Sequence, residues 1–159
     1  MNYTIIIMLT LALLGGIGYH LYQRSQNLLH EVIQSYWIWT QLITIGLLAW
    51  ISFNYAQNFW HYLLAGVAAL YFLTGPLSRG ISNKHFSVFR GTLSVMIPIP
   101  FNKVDKVVLT KDENKNRINL LSKANNQYFI QSYRLEQEDQ LTAILKEAGI
   151  QVEVKEPQA

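Results

Sequence analysis

The chain has 159 residues, half of them apolar, and a net charge of +3. It contains no cysteine, which excludes disulfide bonds, thiol catalysis and cysteine-based metal sites. The charged residues are divided sharply, because residues 1–78 contain only Arg24 and Glu31 and all the others follow. The first half therefore suits lipid, and the second half suits water as one small domain.

The first half holds three uncharged apolar segments. They are residues 3–22, 36–53 and 59–77, and each is close to the roughly 20 residues that a helix needs to cross a bilayer. Only the short polar loop 54–58 separates the second segment from the third, so these two form a hairpin. Arg24 follows the first segment and no Lys or Arg precedes it, which favours a retained helix over a cleaved signal peptide. The sequence predicts a three-helix transmembrane region over residues 1–78.

The distribution of Lys and Arg around these segments predicts their orientation. Arg24 follows the first segment, and Arg79, Lys84 and Arg90 follow the third, whereas the N-terminus and the 54–58 loop have no basic residue. The positive-inside rule then places the N-terminus and this loop outside the cell. We therefore expect a multi-pass protein of the cell membrane whose C-terminal domain is cytoplasmic.

The connector between the first two helices, residues 27–35, has an apolar pattern of its own. Its apolar residues have a helical spacing and are Leu28, Leu29, Val32 and Ile33. This pattern predicts either a short amphipathic turn along the inner interface or an inward continuation of a flanking helix.

After residue 78 the pattern changes to that of strands. Leu93, Val95, Ile97 and Ile99 alternate with other residues, which is the period of a strand with one buried face. The predicted strands are residues 84–89, 92–99, 103–110, 117–122 and 127–132. Turns are predicted at Arg90-Gly91, at 111–116 and at 124–126. The spacing favours a meander of antiparallel strands.

One amphipathic helix closes the domain. Its apolar face consists of Leu141, Ile144, Leu145 and Ala148. Gly149 is the predicted C-cap, Val152 and Val154 predict a short final strand, and residues 155–159 form a loose tail. The fold class is thus membrane α-helical plus an α+β cytoplasmic domain, residues 79–154.

Short strands followed by one helix, directly behind a transmembrane hairpin, resemble the bacterial pleckstrin-homology-like (PH-like) domains of small membrane proteins. The resemblance is carried by Gly80-Ile81, by His85-Phe86-Ser87-Val88-Phe89-Arg90-Gly91-Thr92-Leu93 and by Ile97-Pro98-Ile99-Pro100-Phe101-Asn102-Lys103-Val104. In the family an Ile-Pro-aromatic turn precedes a basic and an aliphatic residue. Two departures are Phe101, where tryptophan is frequent, and five strands instead of seven, which predicts a partial barrel or one completed by another chain.

The resemblance implies an interaction module rather than an enzyme. We therefore expect a membrane-anchored, non-enzymatic interaction or accessory protein that binds a partner protein or the lipids of the inner leaflet. Because similar bacterial proteins look like self-protection components, the alternative is immunity against a membrane-active peptide such as a bacteriocin, with the aromatic outer loop 50–62 as contact surface. A small subunit of a transporter or membrane enzyme is less favoured, since the spans contain no carboxylate of the kind that a proton relay or ion pathway uses.

The candidate lipid or partner face consists of basic residues near the inner leaflet. They are Arg79, Lys84, Arg90, Lys103 and Lys106. Each could add about 1 kcal/mol of attraction to anionic headgroups. The alternative is that Arg79 and Lys84 only set the topology and the others are ordinary strand-edge charges. Nucleic acid is not an expected partner, because the basic residues lack the required density and aromatic interleaving.

The candidates for metal binding or acid–base chemistry are the four histidines, His20, His30, His61 and His85, and a glycine-rich segment is the candidate phosphate loop. His20 and His30 with Glu31 could supply metal ligands at the cytoplasmic end, but no single helix face would bring them together. The glycine-rich Gly15-Gly16-Ile17-Gly18 lacks the Lys-Ser/Thr of a phosphate loop and indicates helix packing. No metal, cofactor or catalytic residue is predicted.

Overall fold

The computed structural model describes residues 3–90, 95–124 and 127–155, and the chain forms two compact units. The first unit contains the chain up to residue 23 together with residues 33–77. The second unit combines residues 24–32 with the chain from residue 78 onward. The division predicted at residue 78 assigned residues 24–32 to the membrane region, whereas the structure includes them in the second unit.

Three long helices dominate the first unit. They are α1 (Tyr3–Gln26), α2 (Ser35–Tyr55) and α3 (Phe59–Leu77). Each is long and apolar enough to cross a membrane, which confirms the three predicted apolar helices. α1 extends past the predicted end at residue 22, because the polar residues that follow are still compatible with a helix. α1 ends at Gln26, and the N–H of the next residue, Asn27, donates to the Arg24 carbonyl at 3.2 Å.

α1 and α3 pack closely at a glycine. A Cβ atom at Gly16 would lie 2.5 Å from the Tyr71 ring, so a side chain there would displace the ring. The same ring stacks on His20 with 4.9 Å between centroids. An added Cβ at Gly15 or Gly18 would meet no atom within 4 Å. The packing role predicted for this glycine-rich segment therefore belongs to Gly16.

The second unit contains two sheets. The first is antiparallel, has the order β1-β2-β3-β4 and consists of Leu29–His30 (β1), Gly80–Ile81 (β2), His85–Arg90 (β3) and Val95–Pro100 (β4). The second has the order β7-β6-β5-β8 and consists of Val104–Asp112 (β5), Arg117–Ala124 (β6), Gln127–Arg134 (β7) and Val152–Lys155 (β8). β8 pairs parallel to β5, and the other pairs in this sheet are antiparallel.

The strands predicted from alternation are present as β3 to β7, and the predicted final strand is β8. Residues 91–94 and 125–126, which hold parts of two predicted turns and the start of the predicted strand 92–99, lie outside the described residues. The count of five strands before the last helix was wrong, because the described residues form seven. The two missed strands, β1 and β2, have two residues each, too few to show a period.

The C-terminal helix covers the core as predicted. α4 (Glu138–Glu147) buries Leu141, Ile144 and Leu145. Gly149 follows with a positive φ of 71°, and the Ile150 N–H donates to the Leu145 carbonyl at 3.0 Å. This is a Schellman ending, in which glycine supplies the left-handed residue and Ile150 is buried behind the last turn. Lys155 was predicted to begin the loose tail, but it is the last residue of β8, where it pairs with Thr110. The rest of the predicted tail lies outside the described residues.

The core of the second unit lies on the inward faces of its strands. Its fully buried members include Phe86, Val107, Leu109, Ile118, Leu120 and Tyr133. On β5 and β6 they alternate with residues that are more exposed, as a half-buried sheet requires. The second unit is therefore an α+β fold, as the sequence predicted.

Candidate interaction site

A groove opens in the second unit between the β3–β4 and β6–β7 hairpins. Its volume is about 160 Å³. The lining includes Val88, Ile97, Ile99, Lys103, Gln127 and Phe129. Lys103 is the one charged residue among the described lining residues. The groove therefore offers apolar side chains together with polar surface and one cation.

Two prolines keep the groove from closing by strand pairing. β4 and β7 are each the last strand of their sheets, and both contribute to the lining. Pro98 and Pro100 belong to β4 and have no backbone N–H to donate to a neighbouring strand. Side chains rather than a continuous hydrogen-bond ladder therefore form this part of the surface.

Aromatic packing positions Phe129, which lines the groove. The Phe86 ring lies 5.1 Å from that of Phe101 and 5.3 Å from that of Phe129, measured between centroids. Phe101 begins a short 3₁₀ turn, Phe101–Lys103, that leads from β4 into β5. Anchoring of Phe101 in the core thus sets the position of Lys103 two residues later. The aromatic residue of the resemblance motif has a packing role here.

The five predicted basic residues do not form one cluster. Lys84 and Lys103 are both exposed and lie near the same end of the β3–β4 hairpin, since the Phe101 N–H donates to the Lys84 carbonyl at 3.2 Å. Arg90 is at the other end of β3, where its backbone pairs with Val95. The side chain of Arg90 lies outside the described part of the structure.

The other two predicted basic residues are engaged by acids. Lys106 on β5 forms an ion pair with Glu153 on β8. Arg79 forms an ion pair with Glu31, with 2.8 Å between Nε and Oε2. Its Nη2 also donates to the Ile130 carbonyl at 3.0 Å. Arg79 is thus an internal structural group, because an acid and a carbonyl already use its donors.

The Glu31–Arg79 pair is buried, with 4% of the Glu31 side chain and 12% of the Arg79 side chain exposed. Burial raises the pKa of Glu31 from 4.5 to about 7. The charge of Arg79 and hydrogen bonds from the Ser132 backbone and the Gln131 side chain oppose this shift. Glu31 therefore changes its charge near neutral pH inside the fold.

A chain of hydrogen bonds runs beside this pair. The Tyr133 hydroxyl donates to Gln131 Oε1 at 2.9 Å, and Gln131 Nε2 donates to the Ser87 carbonyl at 3.0 Å. The Ser87 hydroxyl donates to Asn27 Oδ1 at 3.0 Å, and Asn27 Nδ2 donates to the Ser78 carbonyl at 2.8 Å. These bonds attach the connector between α1 and α2 to the rest of the second unit.

The histidine candidates have local contacts. In the first unit, His20 Nδ1 lies 3.2 Å from Thr74 Oγ1. In the second unit, His30 is exposed, and His85 Nδ1 lies 3.1 Å from Ser82 Oγ. Burial lowers the pKa of His85. Within residues 3–90, 95–124 and 127–155, no group of three His, Asp or Glu side chains is placed to hold a metal ion.

Comparison with known proteins does not assign a family. The sequence matches no protein-family model. It also matches no curated protein. The function proposed next therefore rests on the geometry of the two units and on the sequence itself.

Proposed function

We propose that this chain is a membrane-anchored, non-enzymatic interaction protein. α1, α2 and α3 span the cell membrane with the N-terminus outside. The second unit is a cytoplasmic PH-like domain, and its groove binds an extended segment of a partner protein. The pairing of β1 with β2 carries the proposal.

β1 precedes α2 in the chain and β2 follows α3, yet the two strands pair through Leu29 with Ile81 and His30 with Gly80. Strands with open edges do not cross a lipid bilayer, so paired strands belong to one side of it. The chain between them must then cross the membrane an even number of times. Two crossings by α2 and α3 fit this condition, and Arg24 and Arg79 near the two strands favour the cytoplasmic side.

The strand order supports the PH-like assignment. Seven described strands in two sheets precede one helix that covers the core. The resemblance implies this number of strands for a complete barrel. The first strand is supplied from between two membrane helices, so the domain needs no other chain to reach this count.

The groove supports the interaction role. Most of its lining residues are apolar, polar atoms contribute about as much of its surface as apolar atoms do, and Lys103 adds a positive charge at one side. A segment with two or three apolar side chains and a nearby carboxylate would be complementary to both features. An unpaired sheet edge is a common site for an extended peptide, although the prolines of β4 leave side-chain contacts to supply most of the specificity.

Site-specific photo-crosslinking in native membranes tests this proposal. A photoreactive residue at Gln127, an exposed member of the groove lining, should link to one protein partner. Lys103→Glu should lower this yield, because it replaces the cation by a like charge for an acidic segment.

The matched control carries the photoreactive residue at Lys146, which is exposed on α4 away from the groove lining. It should give no link to that partner. Equal crosslinking from both positions, or no crosslinking from Gln127 in native membranes, would show that the groove is not the binding site of the partner.

A cavity in the first unit favours a second candidate, protection against a membrane-active peptide. It has a volume of about 370 Å³ and is lined by apolar residues of all three helices and by Tyr55 and His61 beside the predicted outer loop. Filling it through Ala65→Trp should raise the sensitivity of expressing cells to such a peptide. Unchanged sensitivity to peptides against which the wild-type chain protects would count against this candidate.

A further inference from the structure

The outer face of the second sheet combines exposed apolar side chains with cations. Leu121 and Ile130 are cross-strand partners, and Lys123 and Tyr128 form the next outward pair. Ile130 is 56% exposed and Tyr128 is 68% exposed. These four residues are termed the outer patch. Contiguous apolar surface is one of the features of interaction sites, and here it is combined with neighbouring cations.

Further positive charges surround the outer patch. Side chains that pair across neighbouring strands project to the same face of a sheet. By this register the outward face carries five cations, Lys106, Arg117, Lys123, Arg134 and Lys155, against two acids, Asp112 and Glu153. The face therefore has an excess of positive charge around its apolar centre, which is complementary to an anionic surface.

β7 is also the strand that holds the two connectors to the apolar helices. The Val32 N–H donates to the Ser132 carbonyl at 2.7 Å, and Arg79 donates to the Ile130 carbonyl at 3.0 Å. Val32 precedes the first residue of α2 by three positions, and Arg79 follows the last residue of α3 by two. Two or three residues span only about 7–10 Å. Only short connectors therefore separate the residues bound to β7 from α2 and α3 along the chain.

We infer that the outer patch docks onto the anionic headgroup layer of the membrane in which the helices are anchored. Ile130 and Leu121 enter the boundary between headgroups and acyl chains. Tyr128 has an apolar ring and a polar hydroxyl, a combination enriched at this depth. Lys123 and its neighbouring cations interact with the anionic headgroups.

This inference rests on the proposed membrane anchoring and not on partner binding in the groove, although Tyr128 also lines the groove. It also moves the lipid contact away from the basic residues expected from the sequence, of which only Lys106 is on this face by register. Arg79 is excluded because its charge is paired with Glu31. Lys103 belongs to the groove.

A single cysteine makes the contact measurable, since the chain has none of its own. The full-length protein with Ile130→Cys carries an environment-sensitive fluorophore and is reconstituted into vesicles of phosphatidylcholine with or without phosphatidylglycerol. In the anionic vesicles the probe should be quenched by a lipid-borne nitroxide and protected from aqueous iodide. Glu147→Cys on α4, also an exposed position, is the matched control and should show the opposite behaviour.

Lys123→Gln in the Ile130→Cys background tests the electrostatic part. Loss of one lysine should lower the ratio of docked to undocked domain about fivefold in the anionic vesicles. A Tyr128→Cys probe repeats the measurement if the label at position 130 disturbs the fold. Flotation of every variant with the vesicles reports anchoring separately, so a failure of anchoring is distinguished from a failure of docking.

Two results would overturn the inference. One is equal iodide quenching at Ile130→Cys and Glu147→Cys in flotation-positive vesicles. The other is protection from iodide without quenching by the lipid nitroxide, which would mean that protein, such as a second copy of the chain, covers the patch.

Discussion

Glu31 and Arg79 join the connector between α1 and α2 to the domain that follows α3. Their side chains are buried and their charged atoms are 2.8 Å apart. Glu31 is the only acid in the first 78 residues, and Arg79 is the first charged residue after the third helix. These two features of the sequence were enough to suggest an ion pair between Glu31 and Arg79. Nothing local in the sequence shows that either side chain is buried, because the burial depends on β7.

At this residue scale, Glu31→Gln should change how stability depends on pH. The pKa of Glu31 is raised from 4.5 to about 7 in the fold, so its stabilising contribution is full below pH 4.5 and is lost as the pH rises through 7. Between pH 5 and pH 8 the wild-type free energy of unfolding should fall by about 1–3 kcal/mol relative to the variant. Urea unfolding in detergent, followed by a fluorophore at Asn114→Cys, measures this difference.

Glu136→Gln is the control for that experiment, since Glu136 is an exposed carboxylate in the short 3₁₀ turn Leu135–Gln137, whereas Glu31 is buried. The free energy of unfolding of Glu136→Gln should depend on pH in the same way as that of the wild type. A parallel profile for Glu31→Gln as well would show that the carboxyl group of Glu31 does not titrate differently in the folded and unfolded states.

Arg79→Met should be strongly destabilising at pH 8. It leaves a buried carboxylate without its counter-charge, which typically costs about 3–5 kcal/mol. At pH 5 the loss should be smaller, because protonated Glu31 needs no counter-charge. Lys84→Met, at an exposed position, is the control for removing a positive charge. Equal losses for Arg79→Met at both pH values would contradict the buried-pair account.

At the scale of elements, local pattern predicted most of the fold. Uncharged apolar runs located α1, α2 and α3, and the alternation of apolar residues located β3 to β7. The apolar face and Gly149 located α4 and its end. β1 and β2 were not predicted, because each has only two residues and forms only by pairing between segments about 50 positions apart. The groove was likewise missed, since it requires two sheets to be placed together.

Gly16→Ala should weaken the packing of α1 against α3. The new Cβ would lie 2.5 Å from the Tyr71 ring, so the ring would have to leave its stack on His20. Overpacking of this kind costs about 1–3 kcal/mol. Gly15→Ala and Gly18→Ala meet no neighbour and should be neutral or stabilising, because alanine favours a helix. The midpoint of thermal unfolding in detergent is measured for the three variants. An equal change in all three would contradict a specific contact between Gly16 and Tyr71.

Gly80→Ala should release the connector from the domain. A Cβ there would overlap the Leu29 carbonyl and lie 2.9 Å from Asn27 Nδ2, and a backbone atom cannot move aside as a side chain can. Hydrogen exchange at residues 27–32 should increase while β5 and β6 stay protected. Gly46→Ala in α2 has no neighbour to meet and should leave this exchange unchanged. Unchanged protection of residues 27–32 in Gly80→Ala would contradict the close approach.

At the scale of the whole molecule, one domain is assembled from two separate stretches of chain. Residues 24–32 and the chain from residue 78 form the second unit, and the apolar helices α2 and α3 lie between these stretches in sequence. With α2 and α3 spanning a membrane as proposed, an insertion of this kind restricts the topology, because both stretches must then be on the same side. The distribution of Lys and Arg in the sequence is a separate argument for this proposed topology.

Cysteine accessibility at three positions tests this central claim most directly. His30→Cys in β1, Gln57→Cys between α2 and α3, and Asn114→Cys after β5 are all exposed positions in a chain without native cysteine. With an impermeant thiol reagent on intact cells, Gln57→Cys should be labelled, and the other two should be labelled only after permeabilisation. Labelling of His30→Cys and Asn114→Cys from opposite sides would contradict the account, since the strands β1 and β2 could then not belong to one domain.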